Sequence, residues 1–239
     1  MTYVLSDIHG DKRRFDEILR QIDLTTDDRL YVIGDVIDRK SDGIAVLEEL
    51  FKMENATLLL GNHELMMLNT LSGKTDLSGP FPRFDDEEAW AVWEQNGGLA
   101  TLVQLMKKPK PEVDALLQKI DELPLTKEIT VNGRTFLLVH GAPLTRKLPA
   151  GSSKRKERTL VTWGRVTPET ELFDDKTVIF GHTPTIYFQG DQHLSIWHGK
   201  NRIGIDCGCA FDKIDDGGRA FYGRLGCLRL DDMKEFYAE

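Results

Sequence analysis

The stretch RLYVIGDVIDRK, residues 29–40, runs from an apolar segment typical of a buried strand into two aspartates spaced three apart. The same order recurs on either side of it: YVLS leads into DIHG and the helix-like DKRRFDEILRQI, and ATLLL leads into GNHE and LMMLNTL. Strand, polar motif and amphipathic stretch repeated in this way predict a βαβαβα unit, hence a parallel sheet with right-handed crossovers. Ligands bind such sheets beyond the carboxyl ends of the strands, where all three polar motifs fall.

The middle of the chain departs from this pattern. Residues 85–106 look like a helix with an acidic first turn, interrupted at Asn96-Gly97-Gly98. We therefore predict a helical insertion at about residues 72–122, within a single domain that covers residues 1–239. The two tryptophans of WAVW are predicted to pack in the core of this insertion rather than to face a substrate.

The last part of the chain returns to short apolar runs from Leu125 onward, with a hairpin turn signal at Asn132-Gly133. KLPAGSSKRKERT, residues 147–159, is basic and poor in apolar residues, which predicts a flexible loop. Its KRKER run is interpreted as solvated surface, with contact to an acidic or phosphorylated partner as the alternative.

Composition narrows the class of protein. The 239 residues are 40% hydrophobic and 29% charged, which is ordinary for a soluble globular protein with a substantial core. The start of the chain lacks a basic segment before its short apolar stretch, and C-x-C at Cys207 and Cys209 offers too few ligands for a zinc site. A net charge of −8 opposes binding to nucleic acid. We expect a cytoplasmic protein with reduced thiols and no membrane or nucleic-acid partner, and its oligomeric state is left open.

Metal-binding side chains recur at the predicted strand ends. Four of the six histidines lie there beside glycine or asparagine, whereas His193 and His198 are each interpreted as structural. Carboxylate, imidazole and amide donors in one place suit a pair of first-row divalent cations such as Mn²⁺, Fe²⁺ or Zn²⁺. The candidate donors are Asp7, His9, Asp35, Asn62, His140 and His182.

Five motifs in order, SDIHG, GDVIDRK, GNHE, VHG and GHTP, span residues 6–184. Together they resemble the signature of the calcineurin-like metallophosphoesterases, and specifically the bacterial and phage relatives of serine/threonine protein phosphatases. WEQNGGLATL, TWGR and the closing GIDCGCAF…GRLGCLRLDD resemble further features of that bacterial branch. The resemblance implies an α/β fold of the four-layered α/β/β/α sandwich type with the site at one edge.

The resemblance also implies two bound divalent metal ions, with manganese favoured and iron or zinc as alternatives. The ligands that it implies are Asp7 and His9 for the first metal, Asp35 as the bridge, and Asn62, His140 and His182 for the second. A carboxylate such as Asp35 can bridge two cations because it has two oxygens. Two cations can share one hydroxide as nucleophile and neutralise phosphoryl charge.

Catalytic roles follow from the same resemblance. His63 would act as general acid, oriented by Asp38, while Arg39 and Arg165 would hold the phosphoryl oxygens. Guanidinium groups match those oxygens bidentately, and an imidazolium paired with a carboxylate is a suitable proton donor near neutral pH. Lys40 departs from the family pattern, in which glycine usually follows Asp-Arg. It is interpreted either as added positive charge for an anionic substrate or as a solvated lysine at the start of the next helix.

These assignments predict a dimetal phosphomonoesterase in which a metal-bridging hydroxide attacks phosphorus. The favoured substrate is a phosphorylated protein, hydrolysed at phosphoserine or phosphothreonine, with phosphotyrosine as a further option. The first alternative is a hydrolase of dinucleoside polyphosphates or other small phosphoesters. A second alternative, from another class, is a non-catalytic phosphate-binding module, against which the complete donor set and His63 argue.

Overall fold

The structure is a computed structural model that describes residues 1–73, 75–77, 82–191 and 193–239. Its strands are β1 (Thr2–Leu5), β2 (Arg29–Val32), β3 (Ala56–Leu58), β4 (Thr126–Val131), β5 (Arg134–Val139), β6 (Thr177–Phe180), β7 (Trp197–Gly199), β8 (Arg202–Gly204), β9 (Ile214–Asp216), β10 (Arg219–Phe221), β11 (Leu225–Arg229) and β12 (Lys234–Ala238). Its helices are α1 (Lys12–Ile22), α2 (Gly43–Leu50), α3 (Asn62–Leu71), α4 (Glu87–Gln95), α5 (Leu99–Leu105), α6 (Lys110–Asp121) and α7 (Lys154–Trp163), with a 3₁₀ turn at Thr185–Tyr187.

Two five-stranded sheets organise these elements. The first has the order β12-β11-β1-β2-β3, in which β1, β2 and β3 are parallel, so the predicted parallel unit is confirmed. The second has the order β4-β5-β6-β8-β7, in which β5, β6 and β8 are parallel. The predicted hairpin at Asn132-Gly133 joins β4 to β5, and both turn residues have the positive φ (49° and 76°) that tight hairpin turns require.

Because side chains alternate between the two faces of each strand, the apolar side chains divide among three clusters, one between each pair of adjacent layers. In β1, Tyr3 and Leu5 belong to the cluster that packs on α1 to α6, whereas Val4 belongs to the cluster between the two sheets. Ile179 of β6 faces the same inter-sheet cluster, and its neighbours in β6 pack on the side of α7. The order of layers is therefore helix, sheet, sheet, helix, which confirms the predicted four-layered α/β/β/α sandwich.

Between α3 and β4 the residues that the structure describes form three helices. The predicted interruption is confirmed, because α4 ends at Gln95 and α5 begins at Leu99. Asp86 caps α4 by accepting a hydrogen bond from the backbone N–H of Ala89 at 2.8 Å. Within the insertion predicted over residues 72–122, Lys74 and residues 78–81 lie outside the described residues. The division of the chain into one domain with an insertion stays a prediction.

The loop predicted at residues 147–159 is wrong in its second half, where α7 begins at Lys154. The hydroxyl of Ser153 caps this helix by accepting from the backbone N–H of Lys156 at 3.2 Å. Arg158 is buried, and its Nη1 donates to a carboxylate oxygen of Asp121 at 2.6 Å. Part of the basic run is therefore a structural contact with α6, although most of its side chains remain exposed.

In the ranges that the structure describes, no helix is long and apolar enough to cross a membrane.

The inter-sheet core yields a stability prediction. Ile179 is fully buried, so Ile179→Ala removes three carbons from the layer that joins the sheets, and we expect the free energy of unfolding to fall by about 2–4 kcal/mol. Val103→Ala is the control, because Val103 is 46% exposed and its change should stay within about 0.5 kcal/mol. Urea denaturation measures both, and equal losses would contradict the assignment of Ile179 to a tightly packed layer.

Candidate metal centre

Six parallel strands, three from each sheet, deliver a polar side chain just beyond their carboxyl ends. Contacts between the sheets bring these ends together: the backbone N–H of His182 donates to Asp7 at 3.1 and 3.2 Å, and His140 contacts Asn62. All six predicted ligands therefore meet in one region. The side chains beyond the strand ends are Asp7 after β1, Asp35 after β2, Asn62 after β3, His140 after β5, His182 after β6 and Asp206 after β8.

Asp35 lies at the centre of this region. Its Oδ2 is 3.8 Å from Nε2 of His9 and 3.7 Å from Nε2 of His63, while its Oδ1 is 3.3 Å from Nε2 of His140. The two oxygens thus face two separate groups of donors that can each hold a metal ion: His9 with His63, and His140 with His182. Burial alone would raise the pKa of Asp35, but the nearby imidazoles of His140 and His63 hold it well below its usual range. This placement is what a bridging carboxylate requires.

His140 is buried between the sheets, and each of its ring nitrogens faces a hydrogen-bond acceptor. Its Nδ1 donates to the carbonyl oxygen of Ile33 at 2.9 Å, and its Nε2 faces Oδ1 of Asn62 at 2.9 Å. Burial favours the neutral ring, but the negative charge of Asp35 outweighs it and raises the pKa of His140 to about 10. The proton on Nε2 lies among ligand atoms, so a cation that binds there displaces it.

The remaining donors fit a divalent cation. Nε2 of His182 is buried and has no hydrogen-bond partner among the residues described. Nδ1 of His9 donates to the carbonyl oxygen of Ile37 at 3.2 Å, which leaves its Nε2 available as a ligand. Burial lowers the pKa of both rings, to about 3 for His182, so both are neutral at pH 7. Neutral imidazoles beside buried carboxylates are the ligand set that first-row divalent metals prefer.

Asp206 is a member of the region that the motifs did not reveal. It is buried, lines the same cleft as Asp7 and His9, and accepts a hydrogen bond from the backbone N–H of Gly208 at 2.9 Å. Burial, and after it the charge of Asp206, raise the pKa of Asp7. The signal was present in the sequence, because RIGIDCG places an aspartate and a glycine after an apolar strand in the same way as the recognised motifs.

The strand-end loops adopt the left-handed backbone conformation at six non-glycine positions. This conformation turns the chain sharply and directs successive side chains into the cleft, and aspartate and histidine tolerate it better than most residues. The residues are Asp7 (φ 56°), His9 (φ 48°), Asp35 (φ 54°), Asp38 (φ 73°), Arg39 (φ 68°) and His182 (φ 60°).

Asp38 is fully buried and holds His63 as predicted, with a 2.6 Å contact between Oδ2 and Nδ1. Two further donors come from the helices that follow α3: Nε1 of Trp93 donates to Oδ2 at 2.8 Å, and the hydroxyl of Thr101 donates to Oδ1 at 2.6 Å. The prediction that Trp93 is a core residue is confirmed by its complete burial. It is also a polar contact to the candidate dyad, as is Thr101, and neither contact was anticipated.

Both predicted arginines lie in the cleft. Nη2 of Arg39 is 3.3 Å from Nε2 of His63, and Nη1 of Arg165 donates to the hydroxyl of Thr183 at 3.2 Å. The cleft has a volume of about 510 Å³. Its lining brings together both arginines, His63 and five of the predicted ligands, with the fully buried His140 directly behind Asn62. The phosphate-binding roles of Arg39 and Arg165 stay predictions.

The two groups of donors predict two metal ions that share Asp35. Isothermal titration with Mn²⁺ should find two sites in the protein, and Mn²⁺ at 100 times its Kd should stabilise the fold by about 2.7 kcal/mol for each occupied site. Asp35→Asn should weaken both sites together, because one neutral amide replaces the shared carboxylate. The control is Asp175→Asn, a change at a carboxylate that is 77% exposed. Two unchanged sites in Asp35→Asn would contradict the bridging role.

Comparison with known sequences agrees with this geometry. The sequence pattern of the family described as calcineurin-like phosphoesterase matches residues 2–207. The symmetrical bis(5'-nucleosyl)-tetraphosphatase of Glaesserella parasuis is 35% identical over 150 residues, which are 58% of this chain and 43% of that protein. The enzyme of the same name from Nitrosomonas europaea is 38% identical over 74 residues, 30% of this chain and 28% of that protein. The chain therefore matches less than half of the length of these curated relatives.

Solved structures share the fold across the chain. A protein assigned provisionally as a diadenosine tetraphosphatase superposes with a TM-score of 0.62 and 16% identity, covering 99% of this chain and 92% of its own. A serine/threonine phosphatase from Saccharomyces cerevisiae superposes with a TM-score of 0.57 and 13% identity, covering 99% of this chain and 78% of its own. At such low identity these likenesses concern the fold alone. The match over residues 2–207, with the two-sheet fold and the cluster of donors around Asp35, shows that the chain belongs to the calcineurin-like phosphoesterase family.

Proposed function

We propose that this protein is a divalent-metal-dependent hydrolase of dinucleoside polyphosphates. The observation that carries the proposal is the composition of the cleft, in which aromatic rings accompany the metal ligands and arginines. Tyr187 lines the cleft and yet is 74% exposed, and the rings of Trp163 and Phe211 line it as well. Flat aromatic rings stack on nucleobases, so this cleft suits a substrate that carries bases next to its phosphates. The curated relatives, both symmetrical bis(5'-nucleosyl)-tetraphosphatases, support the same substrate class.

A second candidate is a serine/threonine phosphoprotein phosphatase, the activity favoured by the sequence motifs. The specific observation in its favour is the His63–Asp38 dyad, whose 2.6 Å contact is supported by Trp93 and Thr101. General-acid assistance matters most when the leaving group is a strong base such as a serine alkoxide. A nucleoside phosphate is a weaker base and leaves with less assistance.

In either reaction the side chains divide the work. Metal ions at the two donor groups would neutralise phosphoryl charge and lower the pKa of a bound water. Arg39 and Arg165 bind the phosphoryl oxygens, since their guanidinium groups donate bidentately and stay charged. With Arg39 turned from Nε2 of His63 to the phosphoryl oxygens, His63 would donate a proton from Nε2 to the departing oxygen, while Asp38 accepts from Nδ1 and keeps the ring in that orientation.

A substrate panel tests the proposal. The protein is assayed with diadenosine tetraphosphate, a phosphoserine peptide and p-nitrophenyl phosphate, each with Mn²⁺ and with a chelator. We expect the highest kcat/KM for diadenosine tetraphosphate and no turnover with the chelator. A higher kcat/KM for the phosphoserine peptide would favour the second candidate. Metal-dependent binding without turnover of any substrate would favour the non-catalytic alternative.

The dyad predicts a dependence on the leaving group. His63→Asn should slow phosphoserine hydrolysis by about 10²–10⁴-fold and slow p-nitrophenyl phosphate hydrolysis much less. Trp93→Phe should slow phosphoserine hydrolysis about tenfold and p-nitrophenyl phosphate hydrolysis less, because Asp38 loses one hydrogen-bond donor. The control is His198→Asn, since His198 pairs with Glu235 at 2.7 Å at an exposed position outside the cleft lining.

Metal content separates the two roles open to His63, whose Nε2 lies within reach of the same ion as His9 and Asp35. Retention of both metals in His63→Asn supports the general acid. Loss of one metal would instead make His63 a ligand, and an equal loss of rate on both substrates would contradict leaving-group protonation.

A further inference from the structure

One wall of the cleft is formed by the segment from Phe211 to Asp215, here called the 211–215 wall. Phe211, Lys213, Ile214 and Asp215 line the cleft. The wall includes the first two residues of β9, which pairs with β10 in a two-stranded sheet of its own. None of its residues belongs to the five motifs SDIHG, GDVIDRK, GNHE, VHG and GHTP.

Two contacts, an ion pair and a cation–π contact, join the 211–215 wall to the loop that carries Arg39. Nζ of Lys40 is 3.2 and 3.4 Å from the carboxylate oxygens of Asp212, and a hydrogen bond from Lys40 lowers the pKa of that carboxyl. One residue earlier on each segment, the guanidinium of Arg39 lies over the ring of Phe211, 5.3 Å from its centre. Lys40, the residue that replaces the usual glycine, is therefore tied to the wall rather than to the cleft interior.

Lys213 follows these contacts in the chain and lines the same cleft as Arg39. Its backbone lies within about 7 Å of the backbone of Phe211, since two residues of chain span no more than that. The side chain of Lys213 is 51% exposed, and its Nζ is 3.0 Å from Oδ1 of Asp215. Both groups line the cleft, and an exposed ion pair of this kind is weak enough for an anionic ligand to compete for the lysine.

We propose that Lys213 forms a second anion subsite, which binds a phosphate adjacent to the one that is attacked. This inference rests on the proposed function, because a linked phosphate exists in a polyphosphate substrate and is lacking in a simple monoester. The attacked phosphate binds the two arginines. The next phosphate of the polyphosphate substrate displaces Asp215 from Lys213. Asp215 then acts as a competitor for the lysine, which weakens retention of ligands with a single phosphate.

Binding of non-hydrolysable probes tests this subsite without any catalytic step. The Mn²⁺-loaded protein is titrated calorimetrically with methylenediphosphonate, which has two linked phosphate-like groups, and with orthophosphate, which has one. Lys213→Ala should weaken methylenediphosphonate about tenfold and orthophosphate less than twofold. Free Mn²⁺ is held constant, so metal binding by the probe is the same in every titration and differences between variants report on the protein.

A second variant has the opposite expected sign. Asp215→Asn removes the competing carboxylate and should tighten methylenediphosphonate severalfold, with little change for orthophosphate. Lys110→Ala is the matched control, because Lys110 is also an exposed lysine in an ion pair, 2.7 Å from Asp114, and lies outside the lining of this cleft. Its Kd values should equal those of the unmodified protein.

Equal weakening of both probes by Lys213→Ala, or no weakening of either, would overturn the subsite. The proposed function is tested separately from the subsite. If diadenosine tetraphosphate is not hydrolysed but the Kd for methylenediphosphonate still depends on Lys213, the function is contradicted and the subsite is supported. Turnover of diadenosine tetraphosphate with unchanged Kd values in Lys213→Ala would leave the function standing and refute the inference.

Discussion

The buried carboxylate of Glu64 holds the loops of the first sheet in the arrangement on which the site depends. Its two oxygens accept the backbone N–H groups of Asp35 (2.9 Å), Val36 (2.8 Å), Ile37 (3.3 Å) and Gly61 (3.1 Å). These loop residues lie beyond the strand ends and have no ladder partner, so without Glu64 several buried N–H groups would lose their acceptor, at about 1–3 kcal/mol each. One side chain thus fixes the loop after β2 against the start of α3.

The position of Asp35 follows from this tie. With its backbone fixed, one carboxylate oxygen faces the donors of the first sheet and the other faces His140 of the second sheet. Three residues further along the same loop, Asp38 enters the interior and meets Trp93 and Thr101 of the inserted helices. The loop after β2 therefore connects the metal cluster to the proton donor, and both depend on the same buried anchor.

Much of this could be predicted from the sequence, since each motif follows an apolar run and parallel strands place such motifs at one edge. Asp7, Asp35 and Asn62 belong to this class, and the local pattern was sufficient. Trp93 is 55 residues from Asp38, and the contact depends on how the inserted helices pack, for which the sequence carries no local signal. The error at residues 147–159 has a similar cause. The sequence pattern predicts that Arg158 is a solvated surface charge, and only the structure shows its contact with Asp121.

The left-handed backbone of the strand-end loops also restricts which sequences this fold can accept. Glycine at Asp7, Asp35 or His182 would relax the local backbone, worth on the order of 1 kcal/mol per position, but it would delete a ligand. Valine or isoleucine would add steric conflict and supply no donor. Aspartate, asparagine and histidine both tolerate the left-handed backbone and supply a donor atom, so substitution at these positions is limited to a few side chains. The neighbouring strands, by contrast, can exchange one apolar residue for another. The restriction on residue choice at these positions has a conformational origin as well as a chemical one.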